Sequence, residues 1–174
     1  MLDVSISYNR YKFLGYEYLT WLWFLIENGQ DQIKKLEQES VSLQIGNRIV
    51  LENMKKDTVE SITIKGDDAD LEEGVLALRK GAVVSELNLW YKLGDQQWRF
   101  TVKAENLHIT NLKCPATGSV ESQEDLEGAV LEKAYLCEKA LQLTDNLFKQ
   151  FITLRLSDDW NKRVVPRMKK WMSS

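Results

Sequence analysis

The first strong hydrophobic pattern along the chain covers residues 14–28 and predicts an α-helix. Apolar side chains recur there at spacings of three and four residues in two stripes, and Gly29 follows as a C-terminal cap. Glu17, Thr20 and Glu27 leave a thin polar edge. A helix of this kind lies in the centre of a domain or is shared between its core and a partner. The central position is favoured, and the shared position stays open.

Three aromatic residues of this helix, Tyr16, Trp23 and Phe24, favour the shared position. They cannot easily all face one small core, and burial of a large aromatic side chain is worth roughly 1.5–3 kcal/mol. We therefore expect these three side chains to form an interface, and the chain to be a homodimer or a subunit of a larger complex.

Strand patterns follow the first helix. Apolar residues alternate with polar ones in 41–45, and residues 58–64 form a β-branched run. Between these two runs, Gly46 and Asn47 have the chemistry of a tight turn and precede residues 48–51. The pattern predicts a small antiparallel meander in this part of the chain.

A short helix is predicted for residues 68–80. Its first residues are acidic, and Arg79 and Lys80 stand at its end, which suits the helix dipole. Gly81 follows directly and is the residue type that most often ends a helix.

A β-hairpin is the best-defined element that the sequence predicts, with Gly94 and Asp95 as its two-residue turn. The register places a continuous apolar face on one side and favourable polar pairs on the other. A slip by one residue would exchange the two faces, so agreement at six positions specifies the register. The predicted pairs are Tyr91–Trp98, Leu89–Phe100, Leu87–Val102, Glu86–Lys103, Asn88–Thr101 and Trp90–Arg99.

The last third of the chain predicts a strand over 107–113 and a long helix over 124–156. Two apolar stripes run along this helix, so we expect it to kink or to pack against more than one element. A basic C-terminal segment, 157–174, follows. The whole chain, 1–174, is therefore predicted to be a single α+β domain in which an antiparallel sheet is backed by helices. The two stripes are Leu126, Val130, Ala134, Cys137, Leu141, Thr144, Phe148, Phe151 and Leu136, Ala140, Leu143, Leu147, Leu154.

Composition describes a globular protein. The 174 residues, 44% of them hydrophobic, suffice for one core without disulfides or metal. The longest near-apolar run, 18–26, is too short to span a bilayer, and no signal-peptide pattern opens the sequence. Cys114 and Cys137 could form one bridge at most, and we expect them to be reduced thiols. These features predict a cytoplasmic protein without a membrane segment.

Motifs for catalysis are missing from the sequence. His108 is the single histidine, and there is no Cys-x-x-Cys, glycine-rich dinucleotide motif, phosphate loop or serine nucleophile elbow. A zinc site would have to combine His108 with two separated cysteines at an unfamiliar spacing. We therefore expect a non-enzymatic protein with no catalytic residue, no metal and no nucleotide cofactor.

The formal charge of −3 hides an asymmetry along the chain. Residues 160–174 carry five cations and no acid, so the rest of the chain carries −8. Trp160 and Trp171 flank these cations, and such a segment can hold a phosphate backbone and stack on bases. It could equally be a solvated last helix whose tryptophans dock into the core. The five cations are Lys162, Arg163, Arg167, Lys169 and Lys170.

The polar face of the predicted hairpin is also basic. It contains Lys92, Arg99 and Lys103 together with Trp90. Such a surface can bind a polyanion, although most faces of this composition are simply solvated.

Four stretches of the chain resemble the C-terminal half of the recombination-associated protein RdgC family. The shared pattern is a helix that ends at Gly81, three strands of which the last closes with Leu112 and Lys113, and a long helix. The resemblance covers most of the chain. The stretches are FLGYEYLTWLW at 13–23, LEEGVLALRKGAVVSELNLWYK at 71–92, WRFTVKAENLHITNLKCP at 98–115 and FKQFITLRLS at 148–157.

That family is known for homodimers that form a ring around duplex DNA, bind it without sequence preference and restrain the RecA recombinase. The resemblance implies a non-enzymatic DNA-binding protein of recombination or replication, located at the nucleoid. Lys113 is carried over from the end of the third strand, and Arg79 and Lys80 lie beside the matching helix end. Family members carry a further N-terminal half that helps close their ring, so the matching half alone does not imply encirclement.

Two functions follow from the sequence as expectations. The first is DNA binding without sequence preference. The second is a protein-interaction subunit of a larger assembly that has lost DNA binding, which the apolar first helix and the acidic remainder favour. The candidate nucleic-acid-binding residues are Arg79, Lys80, Arg99, Lys103, Lys113, Lys162, Arg163, Arg167, Lys169 and Lys170.

Overall fold

The computed structural model of the chain describes residues 13–29, 32–33, 41–55, 58–65 and 71–173. Within them the protein has an antiparallel sheet and helices, which confirms the α+β prediction and the long C-terminal helix. The elements are α1 (Phe13–Asn28), β1 (Val41–Lys55), β2 (Thr58–Lys65), α2 (Leu71–Arg79), β3 (Val83–Leu93), β4 (Gln96–Lys103), β5 (Ile109–Lys113), α3 (Gln123–Arg155), a π-helical turn (Trp160–Val164) and α4 (Val165–Ser173).

The five strands form one sheet in the order β2-β1-β3-β4-β5. Each neighbouring pair is antiparallel. The β1–β3 pairing joins two strands that α2 separates along the chain, so the centre of the sheet depends on a non-local contact.

The predicted hairpin is confirmed at all six positions of its register. Gly94 has a φ of +57°, the left-handed conformation that a two-residue hairpin turn requires. On the polar side, the guanidinium of Arg99 lies 4.6 Å from the ring centroid of Trp90, and Lys103 Nζ is 3.4 Å from Glu86 Oε1. Alternation of side chains across the pleat was therefore sufficient to place this element.

The predicted turn at Gly46 and Asn47 is wrong, because β1 runs through both residues. The pairing with β3 instead shifts there: Ile45 is opposite Leu89, and Ile49 is opposite Leu87. Two extra residues of β1 thus form a bulge around Asn88. The Asn47 N–H donates to Asn88 Oδ1 over 3.2 Å, and a Cβ on Gly46 would collide with the same oxygen. The glycine permits close approach to a neighbouring strand, not chain reversal.

The helix that was predicted over 68–80 is α2, whose described part begins at Leu71; residues 66–70 lie outside the described ranges. Its end matches the prediction. Gly81 has a φ of +92°, and the Ala82 N–H donates to the Ala77 carbonyl over 3.0 Å. This six-residue backbone bond around a left-handed glycine is the Schellman motif.

Helix α3 begins at the Ser122 cap, whose Oγ accepts from the Asp125 N–H over 3.1 Å. Only one of its two apolar stripes faces the core along its length. The second predicted stripe is buried except for its last residue, Leu154, which is half-buried, and Phe151 of the first stripe joins it. The buried residues are Leu136, Ala140, Leu143, Leu147 and Phe151. Leu126, Val130 and Ala134 of the first stripe are exposed. The helix nevertheless packs against more than one element, as expected, because it contacts α1, accepts from the Trp98 indole N–H of β4 at the Leu136 carbonyl, and meets Cys114 after β5.

Helix α1 lies at the centre of the core between the sheet and α3. Tyr18 packs edge-on against Phe148 at a centroid distance of 5.2 Å and also contacts Phe151. Burial raises the pKa of the Tyr18 phenol well above its ordinary value. Among the described residues, no helix has the length and apolarity needed to cross a membrane.

Candidate nucleic-acid interface

The helices pack against one face of the sheet and leave the opposite face, called here the outer face, largely to solvent. Side chains alternate between the two faces of a strand. In β3, Leu87, Leu89 and Tyr91 are buried in the core. The residues between them belong to the outer face and are exposed or half-buried: Glu86, Asn88, Trp90 and Lys92.

Six cations stand on the outer face, and every strand supplies at least one of them. The pairing registers place Lys65 opposite Arg48, Glu86 opposite Lys103, and Arg99 opposite Lys113, and opposite residues share a face. Strands lie about 4.8 Å apart, so the group spans roughly 19 Å across the sheet. We call it the outer cation patch: Arg48, Lys65, Lys92, Arg99, Lys103 and Lys113.

Among the residues that the structure describes, one acid lies within this patch, and two cations share it. Glu86 accepts from Arg48 Nη2 over 3.3 Å and from Lys103 Nζ over 3.4 Å. The side chain of Glu86 is half as exposed as either partner, 21% against 42% and 43%. One carboxylate between two cations leaves a net positive charge, and it holds both side chains at the surface.

Arg99 and Lys113 form the second row of the patch. They are opposite each other in the β4–β5 pairing, and Arg99 stacks on the Trp90 ring. A stacked guanidinium keeps its N–H edge free to meet an anion while its orientation is fixed. Two adjacent cations with one of them preoriented are suited to phosphate oxygens.

Asn88 lies between the two rows but is occupied inside the protein. Its Nδ2 lies 3.1 Å from the Phe100 carbonyl and 3.1 Å from Thr101 Oγ1, and its Oδ1 accepts from the Asn47 N–H. The amide therefore organises the bulge in β1 and is not available for reading a base edge.

The candidate residues of the basic C-terminal segment have a different environment. Lys162 pairs with Asp158 at 2.8 Å, and Arg163 pairs with Asp159 at 3.3 Å. Each acid stands four residues before its cation, so the pairs follow from helical geometry alone. Two of the five cations are thereby paired within the segment.

Among the other candidate cations of the C-terminal segment and of the end of α2, two take part in packing. Arg167 lies over the Phe24 ring at 5.7 Å, and Arg79 Nε donates to the Met172 carbonyl over 2.8 Å. Arg79 thus closes the end of α4 and joins it to α2. Lys80, Lys169 and Lys170 are exposed.

Both tryptophans of the segment dock into the core, which was the alternative to base stacking. Trp160 is 5% exposed and packs on Phe151 at 5.5 Å. Trp171 contacts Trp23 and Phe24, and its Nε1–H donates to Glu27 Oε2 over 2.6 Å. The ten candidates therefore form two groups on different surfaces, since α4 packs on the helical side of the molecule against α1 and α2.

The docked C-terminal segment also helps explain how three large aromatic side chains of α1 are buried within one chain. Tyr16, Trp23 and Phe24 are 7%, 0% and 7% exposed within the single chain. Trp171 covers Trp23 and Phe24, and the Tyr16 hydroxyl donates to Glu52 over 3.2 Å. The expected interface through these three residues is thus corrected, because their partners lie in the same chain.

Exposed apolar side chains are found instead on α3. Leu126, Val130 and Leu141 are 45%, 59% and 54% exposed, and Leu131 and Tyr135 are exposed beside them. The sequence contained the signal, because a helix with two apolar stripes can turn only one of them to a single sheet. Arg48 and Lys65 of the outer cation patch were missed because the pairing of β1 with β3 was not predicted.

In the described part of the chain, no three His, Cys, Asp or Glu side chains come together in a group that could hold a metal ion. His108 is exposed, and its backbone N–H donates to Asn106 Oδ1 in a local turn. No protein-family model and no curated protein matches the sequence. The function proposed below therefore depends mainly on the geometry of the described residues.

Proposed function

We propose that this protein binds DNA without sequence preference through the outer cation patch and does not catalyse a reaction. The observation that supports this proposal is the collection of six cations on a sheet face that the described helices leave open. Phosphate neutralisation by Lys and Arg supplies most of the affinity of sequence-independent binding.

Charge distribution supports a local contact and not a general attraction. The chain carries −3 overall, so most of its surface repels DNA. A concentrated patch overcomes this repulsion only within a few ångströms of the duplex, because salt screens charges beyond about 8 Å at physiological ionic strength.

Lack of sequence preference follows from the side chains on the outer face. Phosphate contacts position a protein, whereas donors and acceptors at base edges specify the sequence. The patch consists of cations, and the amide of Asn88 is occupied by internal hydrogen bonds. The resemblance to the RdgC family supports the same function.

The test is a fluorescence-anisotropy titration of labelled duplex and single-stranded DNA of two unrelated sequences, at several salt concentrations. The test variant combines Arg99→Gln, Lys103→Gln and Lys113→Gln. A matched control, Lys149→Gln, Lys169→Gln and Lys170→Gln, removes the same charge outside the outer cation patch and outside the exposed apolar surface of α3.

We expect the patch variant to bind both sequences more weakly and with a flatter salt dependence than the control. Equal losses in the two variants would show a general charge effect and contradict the patch. No binding by the unmodified protein in low salt would refute the function itself.

A second candidate function is self-association, which the exposed apolar side chains of α3 favour. Leu126, Val130 and Leu141 recur at helical spacing and lie on one side of α3, next to its buried stripe. Monomeric proteins rarely leave such a continuous apolar surface open.

The occupant that we infer for this surface is a second copy of the chain in antiparallel orientation. The first turns of α3 contain Glu124, Asp125 and Glu127, whereas Lys133 stands about two turns later, on the side of Leu126 and Val130. In an antiparallel pair the acidic end of one helix approaches Lys133 of the other, and these charges are complementary.

Light scattering at tens of micromolar protein tests the association. We expect a dimer that Val130→Glu converts to a monomer, while Leu156→Glu, at a residue that is 82% exposed outside this surface, leaves it intact. A clean monomer in the unmodified protein, or dimers that survive Val130→Glu, would contradict self-association through α3.

A further inference from the structure

The two cysteines, which are 23 positions apart in the chain, meet in the folded protein. Cys114 directly follows β5, and Cys137 lies on α3. Their sulfur atoms are 3.6 Å apart, and both residues are half-buried. A disulfide has an S–S distance of about 2.05 Å, so bond formation requires an approach of roughly 1.5 Å. That movement is within reach of side-chain rotation at the end of a strand.

The environment of Cys114 disfavours its thiolate form. Burial, and next the hydrogen bond to Cys137, raise the pKa of Cys114 to about 11. Cys114 therefore retains its proton and can donate it to Cys137. The Lys133 ammonium, one turn before Cys137 on α3, opposes the rise for Cys114. The thiolate is the nucleophile in disulfide exchange, so the raised pKa of Cys114 disfavours this sulfur as the first to attack.

We propose that Cys114 and Cys137 form a reversible thiol–disulfide site that reacts with low-molecular-weight disulfides such as oxidised glutathione. In the first step the Cys137 thiolate attacks one sulfur of the small disulfide, forms a mixed disulfide and releases one thiolate. In the second step Cys114 loses its proton and attacks Cys137 Sγ, which releases the second small thiol. The protein loses two electrons and two protons, and the small disulfide is reduced to two thiols.

The product fastens the end of β5 to the middle of α3. Residues 115–121, which connect the two elements, have neither helix nor strand structure. A crosslink across this connection restricts the unfolded chain, and disulfides that close loops of this size stabilise proteins. The oxidised protein should therefore melt several degrees above the reduced protein.

The test exposes the full-length protein to glutathione buffers of increasing oxidised fraction. Intact mass, titratable thiols and non-reducing electrophoresis are measured, followed by thermal melting. We expect loss of both thiols, a mass decrease of two hydrogens, a monomeric band and a higher Tm, all reversed by excess reduced glutathione. Retention of both thiols, addition of glutathione at both positions or a crosslink between two chains would overturn the proposal.

Single variants test the order of attack and do not depend on the crosslink. Cys114→Ser leaves Cys137 alone, and we expect it to gain one glutathione rapidly. Cys137→Ser leaves Cys114 alone, and we expect slower addition because burial still disfavours its thiolate. Faster addition to Cys137→Ser would contradict the assignment of Cys137 as the attacking sulfur. Circular dichroism spectra that match the unmodified protein establish that both variants fold.

Discussion

The outer cation patch and the basic C-terminal segment contain the same kinds of side chain, but their neighbours differ. In the patch, one carboxylate, Glu86, is shared by Arg48 and Lys103. In the segment, Lys162 and Arg163 each have an acid of their own one turn away. A row of cations along the sequence is thus a weaker indication of a polyanion site than cations that several strands bring together.

The aromatic residues of the two regions differ in the same way. Trp90 remains half-buried on the outer face and supports Arg99. Trp160 and Trp171 instead pack against aromatic residues of the core, Phe151 and Trp23 respectively. The segment therefore stabilises the fold, and the sheet face remains available for binding.

The largest expected effect concerns stability. Trp160→Ala removes a buried ring from Phe151 and should cost about 3–5 kcal/mol of unfolding free energy. Trp90→Ala removes a stacking partner at the surface and should cost about 1–2 kcal/mol. Urea denaturation of the two variants measures both values. Similar costs would show that the two tryptophans do not differ in role.

The second effect concerns DNA. Loss of Arg99, Lys103 and Lys113 should reduce the log–log salt slope by about 2.7, because each phosphate contact on duplex DNA contributes about 0.9. The factor by which affinity falls between about 50 and 200 mM salt should then be roughly 40-fold smaller for the variant than for the unmodified protein. Replacing the five cations at Lys162, Arg163, Arg167, Lys169 and Lys170 by Ala should change the slope less. Anisotropy titrations compare the two variants, and a larger change for the segment would move the interface to α4.

The third prediction compares one substitution at two glycines. Gly46→Ala places a Cβ against the Asn88 side chain in the β1 bulge and should cost about 2 kcal/mol. For Gly128→Ala on α3, the new Cβ meets nothing within 4 Å beyond the helix's own backbone, and the change should stabilise the protein by up to about 1 kcal/mol. Thermal melting measures both effects, a lower Tm for Gly46→Ala and a higher Tm for Gly128→Ala. A neutral result at Gly46 would mean that Asn88 can leave the bulge.

The smallest effect concerns the ion pairs of the C-terminal segment. Lys162→Ala breaks an exposed pair with Asp158 and should change the unfolding free energy by about 0.3–0.5 kcal/mol. High salt should remove this difference because exposed pairs are screened. Urea denaturation at two salt concentrations tests this, and a cost that persists in high salt would indicate a role beyond pairing.

Local patterns determined much of the fold. Alternation and a Gly-Asp turn predicted the β3–β4 register at six positions, because neighbouring strands joined by a tight turn leave little freedom in pairing. The end of α2 at Gly81 and the extent of α3 were likewise predictable, since capping and helical periodicity act over a few residues.

Tertiary packing decided the rest. The sequence could not show that β1 lies beside β3, and for that reason Gly46 resembled a turn residue and Arg48 was not recognised as part of the patch. Two apolar stripes on α3 were visible, but only the position of α1 and the sheet selects the buried one. The same non-local packing brings Trp171 onto α1 and Cys114 to Cys137. Periodicity reports which side chains share a face, whereas the partner of that face depends on the free energy of the whole assembled core.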